Sequence, residues 1–398
     1  MTRFGRVACV VVAAFCAGSA SADENTVRIG VLTDMSGQLA DYSGPGAVEA
    51  ARMAVAEFGG TVNGKPIEII FADHQLKSDV ALGILRQWYD TRGVDAVLDL
   101  TLSNIALAAQ NLTLEKNKVA LLTGAATVEL YREKCSPNSV DWAVDNYTYG
   151  NAFPRLIMQK GGKKWFLLVT DYAFGYNLQT LATAAVKADG GEIVGAVRHP
   201  LNTSDYSSFL LQAQGTGANV LGFINSNMDL ANSLKQAREF GLDQKMQFVA
   251  PANAFHSVLA LGLDASQGMT VVDPMYWDLN ADTRAFSKTF QEKIKRPPTG
   301  GQFLAYGAVL HYLKAVKAAG GPTDGAAVVK RMKEIPVSDI AFKGKVRADG
   351  RVIYDMLVST VKAPAESKGP FDVYTVTGKI PADEAFSPLQ GSPCSLVK

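Results

Sequence analysis

Short apolar runs and longer stretches with helical spacing alternate along this chain in two successive arrays. That double alternation restricts the fold more than any other feature. The first array opens with Val27-Arg28-Ile29-Gly30-Val31-Leu32. A helix follows from Pro45, with Ser43 or Gly44 as its cap and Val48, Ala51, Val55 and Phe58 along one apolar face. Asn63-Gly64 marks a turn. Beyond it the pattern predicts strands over 66–72, 96–100 and 119–122, a helix over 80–89, and a further helix capped by Ser103. The second array repeats the rhythm, with strands over 165–170, 191–197, 220–224 and 246–250 and helices over 175–188, 206–214 and 230–240. Phe166-Leu167-Leu168-Val169 is apolar on both faces, as expected of a parallel sheet covered on both sides. Two such arrays predict two α/β domains, and 398 residues suffice for two cores. Helical patterns over 282–294, 303–319 and 325–333 follow, and 352–361 reads as one strand.

The first residues have the order of an export leader. Arg3 and Arg6 precede an apolar run from Val7 to Ala17, too short to span a bilayer, and Ala20-Ser21-Ala22 offers a small-residue cleavage site before Asp23. Residues 1–22 are therefore expected to be removed and the protein to work in the periplasm. Cys16 follows the bulky Phe15, which argues against a lipid anchor there. Without Arg3 and Arg6 the chain keeps 37 basic and 38 acidic residues, a net of −1, so no basic stripe speaks for nucleic acid. Cys9 and Cys16 leave with the leader. Cys135 and Cys394 remain, and in an oxidising compartment two cysteines point to one disulfide, with two separate thiols as the alternative. Both follow Pro- and Ser-containing turns and are expected to be accessible. A bridge would tie the C-terminal tail, with its few apolar anchors Phe386 and Leu389, to the first domain.

Enzyme signatures fail where they come near. Gly59 to Lys65 approaches a phosphate-binding loop, but Pro66 stands where a hydroxyl should hold magnesium, and the stretch follows a helix rather than a strand. Gly44-Pro45-Gly46 lacks the third glycine of a dinucleotide fingerprint. No Gly-x-Ser-x-Gly elbow occurs, and His74, His199, His256 and His311 are scattered without metal-ligand spacing, which reads as surface or cleft histidines. Neither a cofactor nor a metal is expected.

The loops that leave the strands carry the chemistry instead. In open α/β sheets ligands sit at the carboxyl ends of the strands, beside helix N-termini with free N–H groups. Those loops include Asp34 to Gly44, Thr101-Leu102-Ser103-Asn104 and Thr123 to Thr127, small and hydroxylated, which suits a carboxylate. Ordinary helix capping would use Ser103 and Thr127 equally well. The second array offers Asp171 to Gly175, Asn225-Ser226-Asn227 and Pro251-Ala252-Asn253, with Tyr276 and Trp277 beyond.

Four of these segments, VRIGVLTDMSGQLADYSGPG (27–46), LLTGAATVEL (121–130), VTDYAFG (169–175) and LKQAREFGL (234–242), carry a resemblance. The chain resembles the leucine/isoleucine/valine-binding family of type I periplasmic binding proteins, the receptors of ABC importers, over about 23–362. The resemblance implies two Rossmann-like lobes with parallel central sheets joined by a three-segment hinge. Lobe one comprises 23–143 and 277–350, lobe two 144–276 and 351–398. It implies a small-molecule ligand, a membrane permease as partner, and no catalysis. Its ligand contacts fall on Tyr42, Ser103, Ala125 and Thr127 in lobe one, with Ser103, Thr127 and the Ala125 backbone holding a carboxylate. They continue to Tyr147 in the first hinge segment and Phe174 in lobe two. Asn104, Asn225, Asn253 and Trp277 join them from the loops above. Amino-acid binders of the family place an acid at the position of Ala252, so the departure there favours a carboxylate without an α-ammonium, and Tyr172, Tyr276 and Trp277 suit an aromatic one. A ligand-sensing regulator on the same fold is the alternative function, and an exported enzyme the third.

Overall fold

The computed structural model describes residues 25–250 and 254–397; the expected leader, Ala252 and Asn253 lie outside the described residues. The first array comprises β1 (Val27–Thr33), α1 (Gly44–Phe58), β2 (Thr61–Val62), β3 (Lys65–Asp73), α2 (Ser78–Thr91), β4 (Ala96–Asp99), α3 (Ser103–Glu115), β5 (Val119–Leu122) and β6 (Ser139–Asp141). The second comprises α4 (Phe153–Gln159), β7 (Lys164–Thr170), α5 (Ala173–Ala188), β8 (Glu192–His199), α6 (Ser207–Gln214), β9 (Val220–Ile224), α7 (Asn227–Glu239), β10 (Gln247–Ala250), α8 (Ala254–Leu261), α9 (Leu263–Ser266) and β11 (Thr270–Asp273). Then come α10 (Ala281–Ile294), α11 (Gly300–Ala319), α12 (Gly325–Glu334), β12 (Val337–Ser338), β13 (Lys343–Val346), β14 (Val352–Tyr354), β15 (Met356–Val361), β16 (Tyr374–Ile380) and α13 (Ala382–Ala385).

The strands assemble into two large sheets. The first has the order β2-β3-β1-β4-β5-β6 and is parallel apart from the β2–β3 hairpin. The second, β16-β15-β11-β10-β9-β7-β8, is parallel except for the edge strands β15 and β16. Counted from its own first strand, each parallel array has the same order, 2-1-3-4-5 (β3-β1-β4-β5-β6 and β8-β7-β9-β10-β11). Helices α10 and α11 return to the first array and pack on α1, while α12 reaches β5. The α/β class and the two parallel-dominated sheets are as expected. The single strand read over 352–361 is two strands: β14 pairs with β13, β15 pairs with β11 and β16, and the chain changes sheets at Asp355. Alternation along a strand is blind to such a transfer, because both halves stay buried.

The chain passes between the sheets after β6, after β11 and between β14 and β15, and a buried ion pair joins the first and third of these passages. Arg351, which is fully buried, lies 3.0 Å from Oδ1 of Asp141 and 3.8 Å from Oδ2 of Asp145. The Phe386 ring covers its guanidinium at 4.1 Å. Around it Tyr131 donates to Asp145 at 2.6 Å, Thr148 to the Ala385 carbonyl at 2.8 Å, and Arg347 to the Ser387 carbonyl at 2.6 Å. The tail residues 385–387 thus roof the hinge. A Cys135–Cys394 disulfide holds that tail, with Cα atoms 5.6 Å apart. Cys394 is buried, at 3% exposure, and not accessible as its turn-rich setting suggested.

A bridge between residues 259 apart in sequence restricts the unfolded chain by roughly 5 kcal/mol as an upper bound. Cys394→Ser should therefore lower unfolding free energy by several kcal/mol and expose the tail to proteolysis near Ser387. Denaturant titration and limited proteolysis with and without reductant check this; identical curves would refute it.

Candidate ligand-binding cleft

In a sheet ordered 2-1-3-4-5, the connections leaving strands one and three depart to opposite faces and open a crevice between them. Here that places the β1–α1 and β4–α3 loops at one crevice and the β7–α5 and β9–α7 loops at the other. Tyr42, Ser103, Phe174 and Asn225 lie on or beside these four loops.

Asp99, at the end of β4, organises the first crevice. Its buried carboxyl accepts from Ser43 and, at 2.9 Å, from Thr123, so one side chain ties together the exits of β1, β4 and β5. Burial pushes its pKa up, and the hydroxyls pull it back. Asp99, Leu100 and Leu102 all have positive φ, at 87°, 60° and 77°. That strain turns the chain sharply into α3. Leu102 occupies the N-cap position, so Ser103 is the first helical residue rather than its cap, and no side chain caps α3. The Ser103 hydroxyl makes no hydrogen bond to another described residue. Asn104 instead turns outward and donates to Ser78 at 2.9 Å. Gly124 sits so close to the β4 exit that a Cβ there would lie 2.6 Å from the Thr101 methyl, which brings the Ala125 loop against the Ser103 loop. Ala125 is buried; Thr127 is part-exposed and accepts from the Glu129 N–H at 3.4 Å, the capping role weighed for it. Tyr42 is fixed by its backbone, whose carbonyl accepts from Thr299 at 2.7 Å, and by its ring. The ring lies on Gly301, where a Cβ would come within 2.6 Å of Cζ. Its hydroxyl has no partner among the described residues.

In the second crevice Phe174 stacks on Tyr172 with ring centroids 5.8 Å apart. Asn225 is buried and committed inward: its amide donates to His199 Nε2 at 3.2 Å and to Ser233 at 3.1 Å, although its Oδ1 is unpartnered. Tyr147 lines a groove of about 480 Å³ with Arg155, Lys379 and Glu384, beside the tail. Trp277 and Tyr276 pack the hinge: the Trp277 indole donates to the Phe371 carbonyl at 2.9 Å and the Tyr276 hydroxyl at 3.2 Å. The structure thus places Tyr42, Ser103, Ala125 and Thr127 at the carboxyl end of the first sheet and Phe174 at that of the second, whereas Asn104, Asn225 and Trp277 have neighbours of their own.

Three histidines are buried rather than superficial: His74, His199 and His311. Two repeat one device. His74, after β3, accepts the Leu76 N–H on Nδ1, so Nε2 donates to Thr101 at 2.8 Å. His199, ending β8, donates from Nδ1 to the Pro200 carbonyl at 2.8 Å, so Nε2 accepts from Asn225. Each imidazole, held neutral by burial, links the end of strand two to the exit of strand three. Their signal in the sequence was position: each closes the second strand of its array.

Sequence reasoning also missed Asp273, the last residue of β11. Its carboxyl makes no hydrogen bond or ion pair with a described residue, and Oδ2 is fully buried. Burial alone pushes its pKa up to about 8. Burial and the charge of this carboxyl raise the pKa values of Tyr42, Tyr149 and Tyr374. Among the described residues no cluster of His, Cys, Asp or Glu could hold a metal.

A family model described as periplasmic binding protein matches residues 26–370. The chain belongs to that family. A crystal structure of a periplasmic binding protein from Burkholderia mallei is 42% identical, with TM-score 0.87, covering 94% of this chain and 100% of that one. One described as a branched chain amino acid ABC transporter periplasmic ligand-binding protein from Burkholderia xenovorans LB400 is 37% identical, with TM-score 0.89 over 94% and 100%. Leu/Ile/Val-binding protein homolog 6 of Brucella suis is 25% identical over 338 residues, 82% of this chain and 85% of the relative. The family consists of solute-binding proteins, and among the described residues no helix is long and apolar enough to cross a membrane.

Asp273 sets a pH dependence for the unliganded protein. Its folded pKa, about 8, exceeds the ordinary value of 3.8, so its contribution to stability is full below that value and is lost as pH rises toward 8. Asp273→Asn should remove that loss. The variant should gain on the wild type by about 1–3 kcal/mol between pH 4 and 9, limited because the residue is part-exposed. Urea titrations across that range test this; parallel profiles would contradict it.

Proposed function

We propose that this protein is the periplasmic receptor of an ABC importer. It captures a small carboxylate-bearing solute, amino-acid-like or an aromatic acid, between two lobes and delivers it to a membrane permease. The lobes are 23–143 with 277–350, and 144–276 with 351–398, after export and removal of 1–22. The observation that carries the reading is at α3: a helix N-terminus without a side-chain cap, entered through strained backbone, beside a Ser103 hydroxyl left free. Free N–H groups, a positive helix end and a hydroxyl donor together suit a carboxylate. The helices α1, α2, α3, α5, α6 and α7, which leave the carboxyl ends of the strands, all lack side-chain caps. Helices α10, α11 and α12, which do not, begin with Asn280, Thr299 and Asp324 bonded into their first turns. Capping was therefore available to this sequence, and the N-cap residues of these six helices do not use it. The name of the Burkholderia xenovorans relative, a branched-chain amino acid receptor, supports the same class.

A thermal-shift screen of the mature protein against amino acids, aromatic acids and amides identifies the solute. Ser103→Ala and Thr127→Ala should then each weaken its binding by roughly 10- to 150-fold, the worth of a hydrogen bond to a charged group. Ser103→Ala should leave the melting temperature unchanged, whereas Thr127→Ala also loses a weak cap. Unaltered affinity in both variants would remove the assignment.

A further inference from the structure

His256 and Arg296 join the two arrays outside the three chain passages. His256 lies on α8, which follows β10 of the second sheet, and Arg296 follows α10, which packs on α1 of the first array. Nη1 of Arg296 lies 2.7 Å from Nε2 of His256 and 2.9 Å from Oδ1 of Asp41, on the loop from β1 to α1. A guanidinium offers only N–H groups, so Nε2 accepts and the imidazole is neutral, with its hydrogen on Nδ1. Burial and the Arg296 charge hold its pKa down, against the pull of Asp41. Both ends are firmly mounted. Phe255 meets the rings of Tyr374 and Tyr276 at centroid distances of 5.8 and 6.4 Å, which seats the start of α8 on the second array. On the other side Pro297 and Pro298 stiffen the link from Arg296 to Thr299. Thr299 donates to the Tyr42 carbonyl at 2.7 Å, and Gln302 to the Asp41 and Ser43 carbonyls at 3.2 Å each, so this segment and the β1–α1 loop form one piece.

We infer that the Arg296–His256 hydrogen bond is a clasp between the two lobes, which favours the shut cleft through protein groups alone and so sets how readily the cleft opens. The inference rests on the receptor reading above and goes beyond it, to residues that hold each other rather than the solute. The chemistry of the pair suits a bond that is made and broken. When the lobes part, Arg296 keeps Asp41, its partner within the first lobe, and neutral His256 turns to water. No charge is stranded, and one hydrogen bond to a charged donor is lost. The Arg351–Asp141 pair behaves in the opposite way: both side chains are buried, and separating them would leave two bare charges. The clasp has water at hand, with Arg296 21% and Asp41 71% exposed and His256 half-buried. One pair thus holds the hinge permanently, and the other engages at the rim.

Hydrogen–deuterium exchange of the mature, solute-free protein tests this at two cleft loops that carry neither partner, 101–106 and 171–178. Exchange there follows the open fraction even where that fraction is small. His256→Ala and Arg296→Ala should each speed it by about 10-fold or more, the worth of a hydrogen bond to a charged group. The double variant should exceed neither single one, because both remove the same bond. His256→Gln, whose side-chain carbonyl can accept from Arg296, should return exchange toward the wild-type rate. Peptides from the core strands β1 and β9 should exchange as in the wild type throughout. The inference is overturned by unchanged exchange at both loops, by acceleration confined to 36–46 and 254–262 around the pair itself, by acceleration that extends to β1 and β9, or by single effects that add in the double variant. The measurement needs no solute, so its failure is separate from failure of the receptor reading, which the solute screen and the Ser103→Ala and Thr127→Ala affinities decide.

Discussion

The buried contact of Arg351 with Asp141 and Asp145 is the constraint on which the geometry of this molecule depends. Taking three charged groups out of water costs several kcal/mol each before any attraction is counted. The pairing is also incomplete: Nε and Nη2 of Arg351 and Oδ2 of Asp141 have no hydrogen-bond partner. Burial pushes the Asp141 pKa up to about 7, against the pull of Arg351. An apolar replacement of equal volume would avoid these costs. What the ions provide is position. Asp141 ends the last strand of the first array and Arg351 precedes β14, so the pair ties together two of the three places where the chain passes between the sheets. The Tyr354 hydroxyl, donating to the Trp142 carbonyl at 2.7 Å, repeats the tie one step further along. The aromatic roof of Phe386 and Tyr131 then excludes water, and the disulfide keeps the roof in place.

The two sheets are built alike. Both arrays have the order 2-1-3-4-5, and both stiffen their crevice by a neutral histidine reaching from the end of strand two to the exit of strand three. The two halves differ in what the histidine touches. In the first array Thr101 leads directly into the strained turn before Ser103. In the second the partner is Asn225, whose amide is held inward. The first wall is accordingly built around hydroxyls and N–H groups, the second around the stacked Tyr172 and Phe174.

Much of this was legible in the sequence because it depends on short-range periodicity. Double-sided apolar runs gave the parallel strands, and the restart of the rhythm at Trp165 gave the second sheet. The exit loops of β1, β4, β5 and β7 could be singled out beforehand because topology dictates where ligands meet such sheets. What failed depends on long-range partners. Nothing in Val352 to Val361 indicates that Asp355 carries the chain from one sheet to another. Trp277 reads as a cleft aromatic until the Phe371 carbonyl, 94 residues away, claims its indole. Cys394 sits in a turn-rich, polar stretch and is nonetheless buried, because its partner holds it down. Asp273 is a single acid at a strand end, and only the fold buries its carboxyl without a partner among the described residues.

The pattern of satisfied and unsatisfied groups follows a thermodynamic logic. Asp34 is saturated by the N–H groups of Gly37 and Leu39, Asp99 by hydroxyls, His74 and His199 by their neighbours, and α10 to α12 by their caps. Groups already paired gain little from a ligand. A ligand shifts an open–closed equilibrium only by the contacts it makes better in the closed form. Among the described residues, the hydroxyls of Ser103 and Tyr42, the Asp273 carboxyl and the Tyr374 hydroxyl have no hydrogen-bond partner, and no side chain caps α3.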